Sequence, residues 1–248
     1  DRAQRRVTFD RMNRKLRLDN WLQLPSDQVD ALLAAAMRAG ARASSGGANK
    51  WLISDNVVHA LGLFQVLGER YAGTAADFAV FVDDLSVYGR GEALSQFDQL
   101  FNFESGYREP FKLDNGAFAV TPVPGMVDLT ISQLCSGLAI DPQTYYVLAK
   151  TVAKAYGLSE TLNRNAAIIS SFYRLVSLPR LLNITPVEGV LMLSMLGGDE
   201  WINRFAGVPV IHDVPDGLPD ALELIEAMQS CVQWCAQNSL PVSWMLQH

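Results

Sequence analysis

Apolar residues recur through this chain at three- and four-residue spacing, and short polar turns cut the pattern into helix-length pieces. That spacing gathers them on one face of an α-helix, whereas a half-buried strand would alternate. Val29, Leu32, Leu33, Ala36 and Met37 form one stripe, Val57, Ala60, Leu61, Phe64 and Leu67 a second, and Phe78, Phe81, Val82 and Leu85 a shorter third. Further on, the spacing runs through Tyr145, Leu148, Val152 and Tyr156, then Ile168, Ile169, Phe172 and Val176. It returns in Leu218, Leu222, Ile225, Met228, Val232 and Cys235, and near the N-terminus in Phe9, Met12 and Leu16. The pattern predicts about ten to twelve helices and no long alternating strand, an all-α fold.

Four junctions share one design, in which a helix closes on apolar residues, a capping residue or proline follows, and a new stripe begins. They lie at 21–26, 138–142, 182–186 and 238–241. In the third, Thr185 and Glu188 have the spacing of a capping box, with Pro186 at the first helical position, where a missing N–H costs nothing. Asp141-Pro142 follows the same logic. Further breaks fall at Ser44-Ser45-Gly46-Gly47, Ala72-Gly73-Thr74, Gly197-Gly198-Asp199 and Val214-Pro215-Asp216-Gly217. Each unit is a helical hairpin whose apolar face needs a neighbour, and the units recur at uneven intervals. The expected architecture is an irregular stack of helical hairpins and not a regular solenoid.

One stretch differs. Residues 105–125 carry Gly106, Pro110, Gly116, Pro122, Pro124 and Gly125 with no helical period. They read as a long structured loop, with a short hairpin expected around Asp114-Asn115-Gly116. Loops this long either connect or bind. At 248 residues the chain has room for one or two domains of ~150 residues. The expected organisation is a single α-helical unit over 1–248, with sub-halves of about 1–104 and 126–248 joined by loop 105–125.

The net charge of −6 argues against a general nucleic-acid binder, which needs a basic face to neutralise phosphates. The second helices of the helix–turn–helix-like units begin with Asp27, Gln28 and Asp30, or with Glu188, which would repel phosphate. Charge is nevertheless uneven. Arg2, Arg5, Arg6, Arg11, Arg14, Lys15 and Arg17 face only Asp1 and Asp10 in residues 1–17, a local +5 that leaves −11 on the rest. The plain reading is the solvated face of an amphipathic helix. The other is a salt-dependent contact with an acidic partner, for which Arg11, Arg14, Lys15 and Arg17 are the candidate residues.

No apolar run reaches the ~18–20 residues of a membrane-spanning helix, and the longest, around 187–196, is interrupted by Glu188 and Gly189. No signal peptide is visible, because Asp1 is followed by arginines; the absence of an initial Met suggests a chain processed or cut from something longer.

Catalytic chemistry has little to work with. His59 sits in a helical stripe region, His248 is terminal, and the neighbours His212 and Asp213 cannot orient each other as a dyad. Nucleophile-elbow, phosphate-loop, zinc-protease and EF-hand motifs do not occur, and Gly89-Arg90-Gly91 is too short to cradle a phosphate. Asp83 and Asp84 point about 100° apart on a helix and need distant partners for carboxylate chemistry. Cys231 and Cys235 stack on one helix face with Cβ atoms ~6 Å apart, beyond the usual ~3.5–4.5 Å of a disulfide. A zinc site would need two more ligands, and His212 is the nearest candidate with no fourth. Core packing is the expected role of both. No catalytic residue, metal or cofactor is expected.

Several strings resemble the A component of bacterial Tc (toxin complex) insecticidal toxins. Phe9-Asp10-Arg11-Met12-Asn13-Arg14-Lys15-Leu16-Arg17-Leu18, followed by Trp21-Leu22-Gln23-Leu24-Pro25 and Gln28-Val29-Asp30-Ala31-Leu32-Leu33, is similar to the start of a helical region in that family. Phe97-Asp98-Gln99-Leu100-Phe101-Asn102 resembles its F-D-x-L-F-N segment. Ala155-Tyr156-Gly157-Leu158 and the run containing Tyr173-Arg174-Leu175-Val176-Ser177-Leu178-Pro179-Arg180-Leu181-Leu182-Asn183-Ile184-Thr185 resemble its L-Y-R-x-x-x-L-A-R-x-L-G-L-S signature. Cys231-Val232-Gln233-Trp234-Cys235 through Leu240-Pro241 is similar to a later helix pair. The matches follow one order across nearly the whole chain. Departures fall at Pro25, Pro179 and Asn183, where the family carries Ser, Ala and Gly; Pro179 is expected to break a helix the family continues.

The resemblance implies a piece of the α-helical shell of a much larger, secreted or cell-surface toxin subunit. In that family five A subunits surround a translocation channel and work with B–C components that carry a toxic enzyme, after attachment to a host-cell receptor. This segment would protect and support the pore without forming it, and loop 105–125 would be a reduced insertion point. The alternative from the residues alone is a stand-alone helical adaptor or scaffold binding a protein or peptide partner.

Overall fold

The computed structural model describes residues 2–43, 52–89, 91–123, 125–212 and 217–247. The breaks read at 44–47 and 214–216, together with Asp1, Arg90, Asp213 and His248, lie outside the described residues.

In chain order the elements are α1 (Arg2–Leu22), α2 (Ser26–Ala43), α3 (Asp55–Tyr71), α4 (Ala75–Val82), α5 (Gln96–Phe101), β1 (Ala117–Ala119), α6 (Leu129–Gly137), α7 (Pro142–Ala155), β2 (Thr161–Asn163), α8 (Ala166–Leu181), α9 (Pro186–Ala206), α10 (Ala221–Gln237) and α11 (Val242–Met245). Eleven helices and two three-residue strands among the described residues make the fold an all-α stack, as the periodicity requires.

The stripes become the core. Val29, Leu32, Leu33, Ala36, Val57, Ala60, Leu61, Phe64, Leu67, Phe78, Phe81, Leu148 and Val152 are all buried. Helix α8 lies deepest: Ile168 to Val176 are buried on every face, including Ser170, Ser171 and Arg174. It packs on α9, α7 and α4, while α2 packs on α4 and α3. One stripe behaves differently. Phe9, Met12 and Leu16 repeat at helical spacing but stay exposed, because α1 packs on the body of the protein mainly along α2.

The four junctions share a backbone mechanism as well as a sequence pattern. Gln23, Ala139, Asn183 and Ser239 each take a left-handed conformation, with φ between 50° and 62°. In three of them the residue after the left-handed one donates back to the carbonyl five residues earlier: Ile140 to Cys135, Ile184 to Pro179 and Leu240 to Cys235, each at 2.9 Å. This is the Schellman closure, which satisfies carbonyls that a helix end would leave orphaned. Asn183 stands where the resembled family has Gly, and Asn is the side chain that best tolerates that region. The next helix is then capped. Thr185 and Glu188 form the reciprocal capping box, and Asp141 accepts from the amides of Gln143 and Thr144. A second box, Asp220 with Glu223, opens α10 and had no counterpart in the apolar pattern.

Pro179 does not break its helix. Helix α8 continues through it to Leu181, because a proline so near the C-terminus interrupts only the final turn. Its ring also packs toward α9: a Cβ on Gly189 would lie 2.5 Å from Pro179 Cγ, so a side chain there has no room. Helices α8 and α9 meet at 93°, and no single helix among the described residues is long and apolar enough to cross a membrane. Helix α9 itself breaks at Gly197 and Gly198, which leave helical geometry, as the glycine pair indicated.

Loop 105–125 is held at both ends. The Asn102 side chain donates to the Phe111 carbonyl at 3.2 Å and accepts from its amide at 2.7 Å, while Phe97, Phe101 and Phe111 meet in tilted and edge-on contacts within a buried aromatic cluster. The hairpin expected around Asp114-Asn115-Gly116 does not form locally. That turn feeds β1, whose antiparallel partner is the distant β2, with Phe118 opposite Leu162. Both of those side chains are buried. Long-range burial, which turn residues do not encode, decides the pairing.

Candidate functional site

Helix α1 carries the predicted contact residues. Arg11, Arg14 and Arg17 are exposed, and Arg14 pairs with Asp10 one turn earlier at 2.9 Å. Lys15 is drawn inward. It pairs with Asp19, reaches Asp30 on α2 at 3.3 Å, and donates to the Ser26 hydroxyl at 2.8 Å. Ser26 in turn donates to Asp19 at 3.0 Å. Lys15 therefore fastens the α1–α2 joint, while Arg11, Arg14 and Arg17 face outward. Val7, Phe9, Met12 and Leu16 add exposed apolar side chains to the same helix.

The charged centre of the molecule was not legible in the sequence. Arg174 on α8 is 1% exposed. It donates to the Asp83 carbonyl at 2.9 Å, the Gly207 carbonyl at 2.6 Å and the Ser171 hydroxyl at 3.0 Å. The end of α4, the end of α9 and the middle of α8 thus share one guanidinium. Burial pulls its pKa down to about 10, so it stays cationic at neutral pH. The Asp83 carboxylate, buried beside it, accepts from Arg38 Nε and Arg42 Nη2 of α2, each at 2.6 Å. Asp83 lies just past α4 in extended backbone, so it does not share a helix with Asp84 as the sequence suggested. Arg180, the second arginine of the same string, donates to the carbonyls of Leu138 at 2.6 Å and Ala139 at 2.7 Å, closing the end of α6.

Other titratable groups serve structure. His59 is exposed and meets Glu226 of α10 at 2.6 Å, and His212 donates its amide to Asp220 at 3.0 Å. Tyr173 donates to Asp77 at 2.5 Å, and burial raises the pKa of the phenol. Arg164 clasps Asp114 through two hydrogen bonds of 2.8 and 3.0 Å, which hold that carboxyl below its ordinary range. Among the described residues, no three His, Cys, Asp or Glu side chains converge as a metal site.

The arrangement is one of capped helical hairpins tied together by arginines, of which Arg174 is buried, with a basic helix at the N-terminus. It also has relatives. The chain is 33% identical over 233 residues to Toxin subunit YenA1 of Yersinia entomophaga, a match covering 94% of this chain and 19% of that protein. The chain thus spans about a fifth of its relative's length. Its fold is similar to part of Yersinia pseudotuberculosis TcaA-TcaB, with a TM-score of 0.59, 17% identity, and coverage of 89% of this chain and 10% of that one. It is likewise similar to part of Morganella morganii TcdA4, with a TM-score of 0.57, 14% identity, and coverage of 79% and 8%. No family model matches the chain. The chain corresponds to a fragment of a Tc toxin component.

Proposed function

We propose that this chain is a portion of the α-helical shell of a Tc-type A subunit, non-catalytic in itself, that supports host-cell attachment and toxin translocation by the whole assembly. The observation carrying this reading is the 33% identity to a toxin subunit along 94% of the chain. The clamped hairpins add a physical reason, since a protective wall needs helices whose ends cannot fray. The larger protein works as a pentamer with B–C components and a host receptor, secreted or held at the bacterial surface, and the unit over 1–248 forms one piece of its wall.

Within that reading, Arg11, Arg14 and Arg17, with the apolar side chains of α1, form a contact between neighbouring parts of the shell, and Lys15 fixes the angle at which α1 projects. Polar contacts of this kind hold at rest and part on a change of pH or salt. Two experiments test the proposal. An antibody raised to this segment should detect a band far above 27.3 kDa in a large secreted or surface assembly; a 27.3 kDa cytosolic band overturns the shell reading. Reversing Arg11, Arg14 and Arg17 to Glu in the full-length protein should move the pH or salt at which the shell opens, and an unchanged transition removes the contact role.

A further inference from the structure

The C-terminal turn of the chain brings a third sulfur to the two stacked cysteines. After the junction at Ser239, α11 folds back on α10, and Met245 Sδ comes to lie 3.3 Å from Cys231 Sγ and 3.6 Å from Cys235 Sγ. Both thiols point at one thioether. Cys235 is 1% exposed and Cys231 half-buried; burial raises the pKa of each thiol, and the neighbouring Cys235 raises that of Cys231 as well. Cys235 also forms part of the wall of a cleft of about 680 Å³ bounded by Arg70, Leu182, Ile184 and Val242, which gives the cluster a route to solvent.

We propose that Cys231, Cys235 and Met245 form a three-sulfur binding site for a soft monovalent cation of the copper(I) class. Two thiolates and a thioether in an apolar setting are the donor set such an ion selects, and among the described residues the set lacks the fourth nitrogen, oxygen or sulfur ligand that a structural zinc site requires. With metal–sulfur bonds of ~2.3 Å, as for zinc–thiolate, a trigonal set spaces its sulfurs ~4.0 Å apart. The 3.3 and 3.6 Å edges therefore need to open slightly. Met245 can supply that movement, since its side chain is unbranched and flexible. Binding makes two copper–thiolate bonds and one copper–thioether bond, releases both thiol protons to solvent, and changes no oxidation state. Affinity therefore rises with pH. Sequence spacing does not point to Met245, because this donor arrives from a separate helix and is not among zinc's usual partners.

The test titrates the reduced chain with copper(I) under anaerobic conditions against a chromogenic copper(I) chelator. The wild type should retain one equivalent, with proton release and a rise in melting temperature. Cys231→Ser and Cys235→Ser should lose it, and Met245→Leu should weaken it at least about tenfold, the low end of the cost of disturbing a metal's supporting residues. Cys135→Ser, on α6, should bind as the wild type does. Should the buried Cys235→Ser fail to fold, Cys231→Ser and Met245→Leu, at half-buried positions, carry the test. No retained copper in the wild type, or retention unaffected by Cys231→Ser or by Met245→Leu, overturns the site.

Discussion

Arg174 donates to the Asp83 main-chain carbonyl at 2.9 Å, while the carboxylate of the same Asp83 collects Arg38 and Arg42 from α2. One helix end thus ties α8, α4 and α2 together, with α9 added through Gly207. An arginine can do this because its fork offers five donors in a fixed plane. A lysine would reach fewer carbonyls.

The first prediction concerns that hub. Arg174→Met leaves the Asp83 and Gly207 carbonyls without their buried donor, while the Asp83 carboxylate keeps Arg38 and Arg42. The expected loss is on the order of 2–6 kcal/mol in urea unfolding, at ~1–3 kcal/mol for each of two buried carbonyls left unsatisfied. Arg174→Lys should recover only part of it. A loss under about 1 kcal/mol, the scale of one ordinary hydrogen bond, would show that α4 and α9 hold their ends by other means.

Ala139 closes α6 at a φ of 50°, a region in which its Cβ is strained. Ala139→Gly should therefore stabilise the chain by about 1 kcal/mol, the scale of the left-handed penalty less glycine's extra unfolded-state entropy. Asn183→Gly, at a residue that already tolerates this conformation, should gain less. Equal or opposite effects in the two variants would count against strain as the cause.

Gly189 and Pro179 form a lock between α9 and α8. A Cβ at 189 would sit 2.5 Å from the proline Cγ, so Gly189→Ala should cost about 1–3 kcal/mol through overpacking. Pro179→Ala on the same background should restore most of that loss. A double-mutant cycle with no coupling would place the clash elsewhere.

Acid stability should report on Asp114. Arg164 and the Gly116 amide lower its pKa in the folded chain below the ordinary 3.8. The folded state then binds fewer protons there than the unfolded state, so the stabilisation is present above pH 3.8 and is lost as pH falls through the depressed value. Asp114→Asn should be less stable than the wild type at neutral pH, and the gap should close in acid below that value. A gap independent of pH would mean that the carboxylate's charge plays no part at this turn.

Much of this molecule follows from local sequence. Stripes such as Val57-Ala60-Leu61-Phe64-Leu67 specify helices because periodicity near 3.6 residues admits no other regular structure, and Thr185, Pro186 and Glu188 specify where α9 begins because they satisfy amides that no helix can satisfy for itself. The same local logic located all four junctions. Three things were decided only by the tertiary structure. Phe9, Met12 and Leu16 have the periodicity of a core face yet remain outside, since burial depends on what packs opposite. Ala117–Ala119 pairs with Thr161–Asn163 and not with its own turn, because the buried contact of Phe118 with the core outweighs proximity in sequence. Arg174 reads as one charge among twenty basic residues, and Met245 as one methionine among seven. Only the convergence of separate helices gives the first its carbonyls and the second its thiols, because a polar group's role is set by the partners that chain packing delivers to it.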